Sequence, residues 1–228
     1  MFHSLANCWR SNLHPTYRPL FSRFKSTYIL RSPPKSAPRE CPTPLVFVSA
    51  KAWDADSERG MTMLSSMLAE RGFTCLQTDL TLPDPQTRSN SSSMMKWFED
   101  ELRSAIRMCM IPFPPVLFAR SAGCLVAQTY ISSNPASGLF MLSPPTGNAE
   151  LESLRSRDDL SMLPTRLVEF DFEPYFPIAI MATLKHMDAL KKSNRLVQVQ
   201  QVDKILVDDL EGQQTFDHIQ NWLDKLGI

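Results

Sequence analysis

Glycine is scarce in this chain. Seven glycines in 228 residues is about half the usual share, and neither G-x-G-x-x-G nor G-K-[ST] occurs. A phosphate-cradling loop has no backbone to build it, which excludes the common nucleotide-binding architectures. No apolar run approaches the roughly 18 residues of a membrane helix. Five cysteines (Cys8, Cys41, Cys75, Cys109, Cys124) are odd in number and form no C-x-x-C pair, so no zinc site or disulfide framework is expected. No motif calls for a cofactor. Histidine occurs four times, and the first 39 residues contain no acid at all.

That last absence is informative beside what is present. The leader carries seven cations (Arg10, Arg18, Arg23, Lys25, Arg31, Lys35, Arg39), six serines and scattered bulky apolar residues. The remaining 17 basic residues face 24 acidic ones, a net of −7 for residues 40–228. Arg-rich, Ser-rich and acid-free is the composition of an organelle transit peptide, and a secretory signal would need an unbroken apolar core. A basic arm for nucleic acid or anionic lipid is the alternative. The acidic body that follows favours mitochondrial import, most simply to the matrix, with no nucleic-acid partner. Residues 1–38 are therefore expected to be a transit peptide and 39–44 a proline-rich linker. Residues 45–228 are expected to form one soluble domain, with apolar content sufficient for a core.

Strand and helix patterns alternate along that domain. PLVFVSA, FTCLQTDL, PPVLFAR, SGLFMLS, FPIAIMAT and NRLVQVQ read as strands, several of them apolar throughout. Helices are expected at MTMLSSMLAERGF, closed by Gly72, at MMKWFEDELRSAIRMCM, at SAGCLVAQTYISSN, around Asp188–Lys192, and at the C-terminal TFDHIQNWLDKLGI. Met94, Phe98, Leu102, Ile106 and Met110 fall on one stripe of the second helix, a core face rather than a methionine-rich partner groove. Alternation with buried strands predicts an α/β domain: a mostly parallel sheet with helices on both faces. Residues 146–174 interrupt the alternation as a charged surface excursion.

Ser121 stands between a predicted strand and a predicted helix, in Ala119-Arg120-Ser121-Ala122-Gly123. Small residues two before and two after it allow the sharp strand-to-helix turn of a nucleophile elbow, and only the first glycine of G-x-S-x-G is replaced. Here the chain resembles the α/β-hydrolase superfamily, over nearly all of residues 44–227 and with little or no cap. LVFVSAKAWDADSERGMTMLSSMLAERGFTCLQTDL is similar to the family's opening strand, oxyanion loop, first helix and second strand, with Ser49-Ala50 where His-Gly is usual. The resemblance implies a serine esterase or thioesterase with Ser121 as nucleophile and Asp188 as orienting acid. It implies oxyanion donors at the backbone N–H of Ala122 and of Ala50 or Lys51.

The base is the departure. His3 and His14 lie in the leader, and by resemblance the family's histidine position falls at Asp203-Lys204. Three accounts follow. The base is displaced to His186 or His218; or Ser121 pairs with Lys204, which requires a lysine pKa lowered by some 3 units; or the triad has decayed into a non-catalytic binding or scaffold protein with a mitochondrial partner. Lys51, Arg120 and Lys204 would together suit a small acyl or anionic ligand if they converge on Ser121.

Overall fold

The computed structural model describes residues 26–154 and 161–228. Its strands, among those residues, are β1 (Thr27–Arg31), β2 (Cys41–Ser49), β3 (Phe73–Asp79), β4 (Val116–Arg120), β5 (Gly138–Leu142), β6 (Ile178–Ala182) and β7 (Asp203–Leu206). They form one sheet in the order β1-β3-β2-β4-β5-β6-β7. β1 is antiparallel to β3, and every other pair is parallel. β4, β5 and β6 are buried at every position, which is why their sequences read as unbroken apolar runs.

The helices are α1 (Met61–Glu70), α2 (Pro85–Arg88), α3 (Ser91–Met108), α4 (Gly123–Ile131), α5 (Asn148–Ser153), α6 (Leu184–Ser193), α7 (Arg195–Gln198) and α8 (Gln213–Lys225). α1 and α8 cover one face of the sheet; α3, α4, α6 and α7 cover the other. On the first face Phe47, Phe118 and Phe140 stack across β2, β4 and β5 at 4.9 and 5.3 Å, and Trp222 closes the row edge-on. Such buried aromatic side chains supply most of the apolar burial that offsets chain entropy. α1 stops at Gly72, whose φ is 108° and whose missing Cβ would lie 2.0 Å from the Arg39 carbonyl oxygen. No other residue fits there.

Three expectations need correction. The sheet starts before residue 39: TYILR shares the leader's composition, but β-branched and aromatic residues let it pair residue for residue with Cys75–Asp79. Ser26 also bonds Glu101 Oε2 at 2.7 Å. The rest of the expected leader, residues 1–25, lies outside the described residues. Second, NRLVQVQ is not a strand. Asn194 accepts the N–H groups of Leu196 and Val197 and caps a helical turn, α7. The last strand is instead the exposed DKIL. Third, Met110 leaves the helical stripe; α3 ends at Met108, and Met110 is 86% exposed at φ 47°.

The described residues of the excursion run along the α3–α4 face and form no separate cap. Ser91 Oγ donates to the Thr165 carbonyl, and Trp53 Nε1 donates to Met162 O at 2.9 Å. No helix among the described residues is long and apolar enough to cross a membrane.

Candidate active site

The turn between β4 and α4 has the shape that the sequence predicts. Ser121 adopts φ 52°, a left-handed conformation that costs a serine about 1–2 kcal/mol. Its N–H donates to Leu142 O at 3.0 Å, which fixes the turn against β5. Gly123 sits in tight packing: a Cβ there would meet Ser57 Cβ and Val48 O at 3.3 Å each. Ser121 is half-buried, and among the described residues no hydrogen bond reaches its hydroxyl.

The three expected oxyanion donors are all occupied from within the chain. Ala122 N–H donates to Asp54 Oδ2 at 2.9 Å. Ala50 N–H donates to Ser57 Oγ at 3.0 Å, and Lys51 N–H to Asp79 Oδ1 at 2.8 Å. Asp54 is held in place by its other oxygen, which accepts from Asp56 N at 3.0 Å, and Ser57 Oγ donates to the Asp54 carbonyl. An oxyanion hole works because its N–H groups point at the space where negative charge develops. Here a carboxylate fills that space. A second negative charge about 4 Å away would be opposed by about 4 kcal/mol at an effective dielectric of 20.

The side chains expected to act on Ser121 are not brought to it. Asp188 is exposed on α6 and pairs with Lys191 at 3.1 Å. His186, at the start of α6, bonds the Pro144 carbonyl through Nε2 at 2.7 Å; that nitrogen therefore carries a proton. Lys204 is not in a loop after the last strand but within it, opposite Ile180, with Nζ on Val199 O at 2.7 Å. β7 is three strands from β4, roughly 14 Å at about 4.8 Å per strand. His218 lies on α8 beside Lys204, lining a groove of ≈ 570 Å³.

Nor do the three cations converge. Lys51 pairs with Glu58 at 2.6 Å. Arg120, 7% exposed, donates to Arg59 O at 3.0 Å and pairs with Glu211 at 3.1 Å, while Arg59 reaches the same Glu211 oxygen at 2.9 Å. Glu211 thus stands in the turn after β7, while Asp203-Lys204, the position at which the resemblance expects the histidine, lies inside β7. Five clefts among the described residues are lined by other residues, and none of them by Ser121.

Among the described residues no thiol substitutes as nucleophile. Burial raises the pKa of Cys41, Cys109 and Cys124, and pushes Cys75 up to about 12, so all four are protonated near neutrality. Among the described residues no cluster of three or more His, Cys, Asp or Glu side chains could hold a metal. Sequence reasoning missed Asp54, Ser57, Asp79 and Glu211. Only the acids of Trp53-Asp54-Ala55-Asp56, set in a loop that should welcome negative charge, gave a signal.

No protein-family model and no curated protein sequence matches the chain. Solved structures do. A carboxylesterase from the thaumarchaeon Nitrososphaera gargenis is similar with a TM-score of 0.59 at 11% identity, over 89% of this chain and 95% of that one. A lidless α/β serine hydrolase from Xanthomonas campestris gives 0.59 at 14%, over 88% and 87%. MenH from S. aureus gives 0.59 at 13%, over 88% and 99%. The chain has the α/β-hydrolase fold, with no separate lid among the described residues.

Proposed function

We propose that this domain is a pseudo-hydrolase: related to serine esterases and thioesterases, and working in mitochondria by binding a protein partner rather than by turnover. The observation that carries the proposal is the Asp54 carboxylate on the Ala122 N–H. Acyl transfer needs that donor free, and it needs a base on Ser121; removal of either costs orders of magnitude in rate. The full chain should fail to label with a fluorophosphonate probe, as should its Ser121→Ala variant. Labelling that Ser121→Ala abolishes would overturn the proposal.

One observation favours the second reading, an active esterase or thioesterase. Ser121 keeps the left-handed φ of a nucleophile, and such strain gathers at working sites. On that account the loop bearing Asp54 withdraws when substrate binds, with Lys204 or a moved His186 as base. Labelling lost in both Ser121→Ala and Lys204→Ala would identify the Ser–Lys pair.

The mitochondrial address rests on the acid-free basic leader. Imaging of the chain with a C-terminal fluorescent tag should place it in the matrix. Glutamates in place of Arg10, Arg18 and Arg23 should leave it in the cytosol.

A further inference from the structure

An arginine is costly to bury unless each enclosed N–H finds an acceptor. Arg195, the first residue of α7, is half-buried, and its side chain is held at two points. Nη2 donates to the Phe172 carbonyl at 2.8 Å, and the guanidinium carbon lies 5.3 Å from the centre of the Phe172 ring. The guanidinium is planar and rigid, so these contacts also fix where Nε points. Nε is enclosed, and it is the single buried side-chain nitrogen or oxygen among the described residues with no hydrogen-bond partner.

Arg195 lines a cavity of ≈ 20 Å³, walled also by α4, the turn before α5, and the excursion. Most polar groups in those walls are already engaged. Asn194 accepts from Leu196 N and Val197 N through Oδ1 and donates to the Pro145 carbonyl through Nδ2. Asn148 Nδ2 donates to Val168 O at 2.9 Å. Two groups are left over. Glu169 spends one carboxylate oxygen on the Asn148 N–H and keeps the other. The side-chain amide of Gln128 makes no hydrogen bond among the described residues. Size then decides what can occupy the space. A water molecule needs about 10–15 Å³ and two to four polar partners. The cavity admits one water and is too small for a carboxylate or a phosphate, which Glu169 would also repel.

We propose that this cavity is a binding site for a single resident water, which accepts from Arg195 Nε and donates to Glu169 and Gln128. A buried water of this kind is part of the structure rather than of the solvent. It joins α4, the helix that leaves the Ser121 turn, to the excursion and to α7 through one molecule. The site is independent of whether Ser121 is catalytic.

The test is a crystal structure of the full chain at a resolution that shows ordered water. One peak should lie about 2.7–3.2 Å from Arg195 Nε and within the same reach of Glu169 or Gln128. In solution, oxygen-17 relaxation dispersion counts long-lived waters, and Arg195→Met should have one fewer than the parent. Gln128→Leu keeps both contacts of Arg195 to Phe172 but takes a partner from the water, so amides 170–172 should exchange at least threefold faster. An absent peak would overturn the proposal, as would Nε donating straight to Gln128 or Glu169, or an unchanged water count in Arg195→Met. Unchanged exchange in Gln128→Leu would overturn the role as a joint. Should Arg195→Met fail to fold, the crystal structure of the parent decides alone.

Discussion

After β4 the backbone bends into the left-handed region at Ser121. After β7 it runs through residues 207–212 and delivers Glu211 to Arg120. The two turns sit at one level of the sheet, because Arg120, Leu142, Met181 and Ile205 are in register. The first keeps the geometry of a nucleophile elbow, and the second has no base to offer it. The difference follows from what holds each turn. Gly123 and Ala119 pack against β2 and the turn at Ala55–Glu58 that carries Ser57, so the elbow persists whether or not the hydroxyl is used. The second turn is held instead by charge, through the Glu211 carboxylate on the buried Arg120.

The largest effect should come from removing the floor that both turns share. Phe118→Ala takes away the middle ring of the stack and should cost about 3–5 kcal/mol in urea unfolding. A loss under about 1 kcal/mol would mean the turns rest on separate supports. Next, Glu211→Ala leaves Arg120 buried with only the Arg59 carbonyl; about 1–3 kcal/mol should be lost, discounted because Glu211 is 37% exposed. Glu211→Gln should lose less, since an amide oxygen can still accept. If both variants match the parent, the turn after β7 is not held by this pair.

Asp54→Ala should cost about 1 kcal/mol, the value of a lost N-cap, because Asp54 caps the turn Ala55–Glu58 through Asp56 N and also accepts the Ala122 N–H from 68 residues away. Asp54→Asn keeps an acceptor and should stay within about 0.5 kcal/mol of the parent. An Asn variant as unstable as Ala would point to the charge rather than the hydrogen bond. The smallest change is Ser121→Gly. Relief of the left-handed φ outweighs the added freedom of the unfolded chain, for a net gain of about 0.5 kcal/mol in thermal unfolding. Destabilisation instead would show that the hydroxyl contributes to the fold.

Much of the fold was legible because the central strands are buried on both faces and read as plain apolar runs. Its two edges were not. TYILR hid in a cationic leader, and DKIL is too short and too charged to signal a strand. Meanwhile NRLVQVQ showed the valines of one, while its Asn194 was already a cap. The misplaced last strand carried Lys204 with it: a residue expected beyond the sheet sits inside it. Of the site, the elbow was readable as local spacing. The capping of its amides was not, since Asp54, Ser57 and Asp79 come from two other segments and only the fold makes them neighbours.

Trp53 and Asp54 are consecutive, yet they are tied in different directions: the indole to Met162 of the excursion, the carboxylate to the Ala122 amide just before α4. Loss of either tie loosens the segment that carries the other. The amide of Ala122 is therefore a clock for a joint event. Its hydrogen exchange should be as slow as release of the whole excursion, and Trp53 emission should shift in the same opening.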